Sequence, residues 1–138
     1  MSRVLVTGGA GTIGPAVVRR LLGDPDFEVR VSDQRGAPDW MREGCEVHRG
    51  DLRALDEARK AIHGCSHATH VAAIVGGIGN FHKLPHTLTE VNSALYNGVF
   101  RAALDTGATG YVIKGRLASD LVPALRAVLA GGRFVSTT

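Results

Sequence analysis

The feature that most constrains the fold is a glycine-rich turn between an apolar strand and an amphipathic helix. Residues 4–14 read Val-Leu-Val-Thr-Gly-Gly-Ala-Gly-Thr-Ile-Gly, and the pattern predicts a helix from Pro15 to Leu22. Glycine suits a backbone that turns sharply, approaches a pyrophosphate or packs against a helix. The helix N-terminus adds unpaired N–H groups and a positive dipole end. The turn therefore predicts a dinucleotide-binding unit, and a glycine-rich turn without a ligand is the alternative.

Bulk composition indicates one soluble domain and excludes several classes of protein. The chain has 138 residues, 44% of them hydrophobic, and a net charge of +3. No basic run interleaves with aromatic residues, so nucleic acid is not the expected partner. No apolar run approaches the roughly 20 residues of a membrane span, and no signal peptide is recognised at the start. Cys45 and Cys65 lack metal-site spacing. We expect free thiols, no metal, and a monomer or weak dimer in a reducing cytoplasm.

A second strand is predicted from Glu28 to Asp33, and Asp33 follows Gly14 by 19 residues. A carboxylate at this position can accept hydrogen bonds from both ribose hydroxyls of an adenosine. It also repels a 2′-phosphate, which favours NAD over NADP. Arg35 leaves NADP open, because a neighbouring arginine can pair with that phosphate. An ordinary loop acid is the alternative for Asp33.

The following segments alternate between strand and helix patterns, which is typical of a parallel α/β sheet. The predicted elements are a third strand from Glu46 to Leu52, a helix from Leu55 to Cys65, an apolar fourth strand from Ala68 to Val75, a loop from Gly76 to Thr87, and a long helix from Leu88 to Leu104. An apolar run such as the fourth strand is expected where both faces of a sheet are covered.

Five motifs occur in order along this part of the chain: Thr7–Gly14, Asp33, Gly50-Asp51-Leu52, His70–Ile74 and Asn92. On these motifs, residues from Arg3 to about Asp105 resemble the N-terminal half of an extended short-chain dehydrogenase/reductase of the NAD-dependent epimerase/dehydratase group. The resemblance implies that Asp51 bonds the adenine amino group and that Leu52 packs on the ring. It also implies that the small residues Ala72 and Ala73 let the cofactor lie against the sheet. The candidate cofactor-binding residues are Gly8, Gly11, Thr12, Ile13, Gly14, Asp33, Arg35, Asp51, Leu52, Ala72, Ala73, Ile74 and Asn92.

The catalytic motif of that group is missing from these residues. Enzymes of the group carry Tyr-x-x-x-Lys, in which the tyrosine is the general acid/base. Here Tyr96 has Phe100 four residues later, and Tyr111 has Gly115. We therefore expect no catalytic residues and no enzymatic activity.

Residues 106–136 carry a different pattern. Thr106 to Lys114 predicts a short strand ending in lysine, and a helix from Leu117 is closed by Gly131-Gly132. Pro123 is tolerable if that helix starts near Ser119. The segment resembles the last strand and helix of a response-regulator receiver domain. The acidic pair that would hold Mg²⁺ in a receiver is absent, so phosphotransfer is not expected.

Together these patterns predict a single Rossmann-like or flavodoxin-like domain over residues 1–138. We expect three α/β layers around a five-stranded parallel sheet of order 3-2-1-4-5, with 2-1-3-4-5 as the alternative. The leading hypothesis is an engineered or recombined chimera, joined near residues 104–107, that retains NAD binding without catalysis. The alternatives are a scaffold with no ligand and a truncated dehydrogenase or epimerase completed by a partner chain.

Overall fold

The computed structural model describes residues 1–75, 83, 85–112 and 114–137, in two compact units, 1–103 and 104–138. The first unit is a parallel α/β sheet of Rossmann type. Its strands are β1 (Ser2–Thr7), β2 (Phe27–Ser32), β3 (Glu46–His48) and β4 (His67–His70), in the order β3-β2-β1-β4. This order agrees with the first four places of the predicted order 3-2-1-4-5, but the full order is not confirmed because the sheet has four strands. The alternative order, with β1 beside β3, is wrong because β2 pairs with both of them.

Helices cover both faces of this sheet. They are α1 (Gly14–Leu22), α2 (Asp39–Gly44), α3 (Leu55–Ile62) and α4 (Pro85–Asp105). Neighbouring side chains of a strand point to opposite faces, so Leu5 and Val6 of β1 enter different cores. Leu5 packs with Ala61 of α3 and Val99 of α4, whereas Val6 packs with Val18 of α1 and with α2. The predicted three layers are therefore present in the first unit.

Two strands end earlier than the apolar pattern predicts. β3 stops at His48 rather than Leu52, and β4 stops at His70 rather than Val75. Beyond β4, the Thr7 hydroxyl oxygen accepts the N–H groups of residues 71 and 72 at 3.2 Å. This side-chain oxygen bonds the main chain as it leaves the sheet, so the apolar segment 71–75 follows the strand instead of extending it. Most of the predicted loop at 76–87 lies outside the described residues, and its last three residues belong to α4.

The second unit contains a small sheet of its own. β5 (Gly110–Tyr111) pairs in parallel with β6 (Phe134–Val135), and the 3₁₀ helix Lys114–Arg116 and α5 (Leu117–Leu129) connect them. The prediction of β5 as a fifth strand of the large sheet is therefore not confirmed. The described part of β5 is two residues long. The carbonyl groups of residues 109 and 111 accept N–H groups from residues 134 and 136, each at 2.9 Å, so β5 bonds the C-terminal segment.

The helix α5 begins at Leu117 and is closed by glycine, as predicted. Because it starts at Leu117 and not near Ser119, Pro123 lies inside the helix and not in its first turn. Proline has no N–H to donate to the carbonyl four residues earlier, which weakens the second turn. Gly131 adopts a φ of 81°, and the N–H of Gly132 donates to the carbonyl of residue 127 at 2.8 Å. This is the left-handed glycine cap that the sequence predicts.

A buried carboxylate joins α5 to the C-terminal segment of the second unit. Asp120 of α5 is 6% exposed. It accepts hydrogen bonds from Arg116 Nε at 2.9 Å, Ser119 Oγ at 2.6 Å and Ser136 Oγ at 2.8 Å. These donors hold the pKa of the Asp120 carboxyl far below its usual range, the Arg116 guanidinium contributing most. Asp120 thus links the start of α5 to the residue that follows β6.

Within the described part of the chain, no helix combines the length and the apolar character needed to cross a bilayer.

Candidate functional site

A cavity of about 280 Å³ opens at the carboxyl ends of the strands in the first unit. Its walls are the turn after β1, residues 32–35 after β2, and residues 71–75 after β4. In parallel α/β sheets ligands bind at this edge, where the order of strands reverses, which here lies between β1 and β4. Ten of the predicted residues line the cavity: Gly8, Gly11, Thr12, Ile13, Asp33, Arg35, Leu52, Ala72, Ala73 and Ile74.

The glycines of the turn are required by close backbone contacts. Gly8 has a φ of 66°, and a Cβ built on it would lie 2.7 Å from the Cα of Ala72. A Cβ on Gly14 would overlap the carbonyl oxygen of Gly8 and the backbone of Gly9. The Gly11 N–H donates to the Gly8 carbonyl at 3.0 Å and closes the turn. These contacts leave a shallow backbone cradle that side chains would fill.

The start of α1 is suited to an anion. Ile13 occupies the N-cap and makes no side-chain capping bond, Pro15 follows in the first turn, and that turn contains no acidic residue. The first N–H groups of a helix lack intrahelical partners, and its N-terminus carries a partial positive charge. Pro15 has no N–H and the Ala16 N–H donates to the Ile13 carbonyl oxygen at 3.1 Å, so what the helix itself presents beside the cradle is mainly its positive end, which favours phosphate groups.

Thr7 and His70 connect the turn to β4. The fully buried Thr7 hydroxyl oxygen accepts two N–H groups, so its own proton donates to His70 Nδ1 at 2.7 Å. Burial lowers the pKa of His70, which favours the neutral ring that this bond requires. The pair therefore fixes the position of residues 71 and 72 at the cavity wall.

Asp33 lies between the glycine turn and the end of β2. One carboxylate oxygen accepts the N–H of Ala10 at 3.2 Å, and the other accepts the N–H of Arg35 at 3.0 Å. The Arg35 Nε lies 3.5 Å from the second oxygen, although the Arg35 side chain is 74% exposed. The structure thus brings the two residues that bear on NAD and NADP into contact at one wall of the cavity.

Three predicted residues do not line the cavity. Gly14 lies behind the turn. Asp51 pairs with Arg53, whose Nε is 2.9 Å from one carboxylate oxygen and 3.0 Å from the other, and this hydrogen bonding lowers the pKa of Asp51. The Asn92 amide bonds the backbone of Ile74. Of the three, Asn92 and Gly14 act on residues that do line the cavity.

Several lining residues were missed by the sequence reasoning, among them Ser32, Gln34, Gly50 and Leu95. The first three sit directly beside predicted residues at the ends of β2 and β3, so their positions alone could have identified them. Leu95 lies within the long helix α4, where nothing in the pattern separates a core leucine from a lining one.

Comparison with known proteins identifies the family. Residues 4–115 match the model of the NAD dependent epimerase/dehydratase family. The human 3 beta-hydroxysteroid dehydrogenase type 7 is 35% identical over 111 residues, which cover 75% of this chain and 29% of that protein. The GDP-mannose 3,5-epimerase 1 of Oryza sativa subsp. japonica is 30% identical over 101 residues, 67% of this chain and 25% of that enzyme. The chain thus spans less than a third of the curated relatives it matches.

Solved structures share the fold. The UDP-glucose 4-epimerase from Brucella ovis in complex with NAD aligns with a TM-score of 0.70 at 19% identity, over 97% of this chain and 50% of that one. DesIV, a dTDP-glucose 4,6-dehydratase from Streptomyces venezuelae with NAD and TYD bound, aligns with a TM-score of 0.66 at 27% identity, over 78% of this chain and 37% of that one.

The chimera hypothesis finds no support in these comparisons. The family match continues to residue 115, through the expected junction at 104–107, and the resemblance of residues 106–136 to a receiver domain is not supported. The terms engineered and recombined therefore have no basis.

The prediction that the chain is not an enzyme is also contradicted. The relatives named above are a dehydrogenase and an epimerase, and solved neighbours include a dehydratase. They are much longer than the matched segment, so the lack of Tyr-x-x-x-Lys in these 138 residues does not exclude their kind of activity.

NAD is confirmed as the cofactor of the family, as predicted. The glycine cradle, the start of α1 without a side-chain cap, and the Asp33 carboxylate are the features that such a cofactor needs. With the match over residues 4–115, they lead to the conclusion that the chain belongs to the NAD dependent epimerase/dehydratase family.

Proposed function

We propose that this chain is the NAD-binding part of an enzyme that oxidises and reduces a hydroxyl-bearing carbon of its substrate. The observation that carries the proposal is the cavity itself, because the glycine turn, the residues that lead into α1 and the Asp33 carboxylate all line it. When bound, NAD supplies a hydride acceptor. Residues that line the cavity are assigned to hold its pyrophosphate and its adenosine.

The pyrophosphate is assigned to the turn and the first turn of α1. Gly8 and Gly11 carry no side chain that would separate the phosphates from the backbone; a Cβ at Gly8 would lie against the backbone of Ala72, and one at Gly11 would lie 3.1 Å from the Gly8 carbonyl oxygen. Thr12 and Ile13 are exposed at the cavity and precede the helix, and we assign their N–H groups to the phosphates. Gly14 keeps the helix close to the turn. The dipole of α1 favours the negative charge.

The adenosine is assigned to the ends of β2 and β3. Asp33 accepts the ribose hydroxyls with the lone pairs left by its bonds to Ala10 and Arg35. The buried Leu52 offers an apolar surface to the adenine ring. Asp51 reaches the adenine amino group only if it releases or shares its ion pair with Arg53. Arg35, which lines the cavity next to Asp33, would pair with the 2′-phosphate if NADP bound instead.

The segment after β4 forms the opposite wall. Ala72 and Ala73 are small enough to let the cofactor lie against the sheet, and Ile74 adds an apolar side chain at the rim. Asn92 supports this wall by bonding both backbone groups of Ile74.

Calorimetric titration of the purified chain with NAD tests the proposal. We expect saturable binding with one NAD per chain, and weaker binding of NADP because of the Asp33 charge. ADP-ribose should bind nearly as well as NAD, since the assigned contacts are to adenosine and pyrophosphate. A folded chain that releases no binding heat with NAD, and whose melting temperature NAD does not raise, would refute the proposal.

A further inference from the structure

Three polar side chains, each in contact with the next, lie beneath the part of the cavity assigned to the adenosine, at the ends of β2 and β3. Ser32 ends β2, His48 ends β3, and Glu57 is in the first turn of α3. Ser32 Oγ is 3.0 Å from His48 Nδ1, and His48 Nε2 is 3.4 Å from a Glu57 carboxylate oxygen. The serine is completely buried, and the His48 side chain is 17% exposed. The three residues therefore connect the wall of the cavity to a helix behind it.

We assign the proton positions on the neutral imidazole ring from its contact with Glu57. A carboxylate accepts hydrogen bonds, so His48 Nε2 carries a proton that points to Glu57. In the neutral ring Nδ1 is then an acceptor, and it receives the Ser32 O–H. Glu57 is itself held by Lys60, whose Nζ lies 2.6 Å from the other carboxylate oxygen. The ring is thus oriented from both sides.

His48 also bonds the residue that follows Ser32. The Asp33 N–H donates to the His48 carbonyl oxygen at 3.2 Å, beyond the end of the β2–β3 ladder. The Ser32 carbonyl in turn accepts the Gly8 N–H at 2.7 Å. The side chain of His48 therefore acts on Ser32 and its main chain on Asp33, the next residue.

The space around Gly50 shows how close His48 and Glu57 lie to the cavity. A Cβ at Gly50 would lie 2.5 Å from the Glu57 carboxylate and 2.6 Å from His48 Cε1. Gly50 lines the cavity, so the histidine and the glutamate pack directly behind its wall. The order Ser-His-Glu resembles a hydrolytic triad. Ser32 borders the cavity but has no exposed surface, so its hydroxyl cannot attack a substrate.

We propose that His48 is a positioning residue for the cofactor: its side chain, held by Glu57, fixes Ser32 and thereby aims the Asp33 carboxylate at the adenosine ribose. The inference rests on the proposed binding of NAD. The proposal predicts that His48 raises the affinity for NAD through the contacts made by the ribose hydroxyls and not through those made by the pyrophosphate.

The test compares two ligands on three full-length proteins. The ligands are NAD and its analogue lacking the 2′- and 3′-hydroxyls of the adenosine ribose. The proteins are the unmodified chain, His48→Leu and His48→Gln, whose amide can still donate to Glu57 and accept from Ser32. We expect His48→Leu to weaken NAD about tenfold, and His48→Gln to stay within about threefold of the unmodified chain. The analogue should bind all three proteins equally. His63→Leu, at an exposed histidine, is the matched control.

The outcomes separate the two proposals. If the unmodified chain fails to bind NAD, the proposed function falls and the positioning role falls with it. If NAD binds and His48→Leu leaves its affinity unchanged, or weakens NAD and the analogue equally, only the positioning role is overturned. If His48→Leu does not fold, Ser32→Ala replaces it, with the same expected loss for NAD alone. Equal affinity of Ser32→Ala and the unmodified chain for NAD would then overturn the role.

Discussion

The side-chain amide of Asn92 bonds both backbone groups of Ile74, accepting its N–H at 2.8 Å and donating to its carbonyl at 3.0 Å. A helix side chain here makes the two bonds that a neighbouring strand would make. The bonded residue belongs to the wall of the cavity and follows β4 by four positions. Asn92 therefore holds in place a segment that no ladder supports within the described residues.

Replacing this asparagine should loosen that wall. Asn92→Leu keeps the size of the side chain and removes both hydrogen bonds, each of which stabilises by about 1 kcal/mol. We expect the amide proton of Ile74 to exchange with solvent at least about tenfold faster, and NAD to bind several-fold more weakly. Hydrogen exchange followed by NMR measures the first effect and calorimetry the second. Ser93→Ala, at an exposed neighbour on the same helix, should change neither. Unchanged exchange at Ile74 would contradict the prediction.

The contact between Asp33 and Arg35 should set the preference between NAD and NADP. Arg35→Ala removes the cation that can pair with a 2′-phosphate, so the affinity for NADP should fall about tenfold. NAD should bind as well or slightly better, because the Asp33 oxygen near Arg35 Nε becomes available. Titrations with both cofactors measure the ratio. Arg20→Ala removes the same charge from an exposed position of α1 and should leave the ratio unchanged. An equal loss for both cofactors would show that Arg35 does not discriminate between them.

Substitutions of the turn glycines should have two different effects: at Gly14 the fold loses stability, and at Gly11 the folded chain loses NAD binding. Gly14→Ala places a methyl group on the backbone of Gly8 and Gly9, so we expect it to destabilise the fold by more than about 2 kcal/mol. At Gly11 the nearest atom to a new Cβ is the Gly8 oxygen at 3.1 Å, a contact that the turn can relieve by a small shift. Gly11→Val should therefore leave a folded chain that has lost NAD binding.

Urea unfolding measures the loss of stability expected for Gly14→Ala, and cofactor titration measures the loss of NAD binding expected for Gly11→Val. Gly23→Ala is the control, since a Cβ there meets its nearest atom at 3.5 Å, an ordinary contact. A Gly11→Val chain that binds NAD with unchanged affinity would remove the turn from the pyrophosphate site. A Gly14→Ala chain as stable as the unmodified one would show that α1 can move away from the turn.

Asp120 should make stability depend on acid pH. Its pKa is depressed in the folded chain, so its bonds stabilise fully above the pKa of an unfolded aspartate, about 4, and are lost as the pH falls below it. Asp120→Asn should therefore lower the melting temperature at pH 7, and the difference from the unmodified chain should shrink towards pH 3. Asp39→Asn, at a side chain that is 92% exposed, should show no such pattern. A difference that is the same at both pH values would contradict the prediction.

Much of the first unit follows from local patterns. The turn at Gly8–Gly14 needs particular residues at particular positions, and Asp33 comes at the end of a short alternating strand, so both can be read from neighbouring residues. The order of the four strands follows from the same recognition of β1 and α1. Strand lengths were less predictable, because the apolar run after His70 looks the same whether it pairs with a strand or, as here, follows one.

The remaining features depend on partners distant in sequence. The bond from Asn92 to Ile74 and the pairing of Gly110 with Phe134 join segments whose residues carry no periodic signal for each other. The ion pair of Asp51 with Arg53 is local, but a carboxylate in a turn could equally have faced the cavity. The resemblance of residues 106–136 to another family misled for a related reason: a strand ending in lysine followed by a helix is compatible with more than one α/β fold.

The position of β1 between β2 and β4 has a consequence for how the protein emerges from the ribosome. Val4 lies opposite Val29 on one side and His67 on the other. The first strand can therefore acquire one neighbour early in translation, but its second only after roughly 40 further residues have been synthesised, a delay of a few seconds at typical elongation rates. During that interval one side of β1 has unsatisfied backbone groups. Within the described sheet, the pairing of β4 with β1 is thus the last that the nascent chain can form.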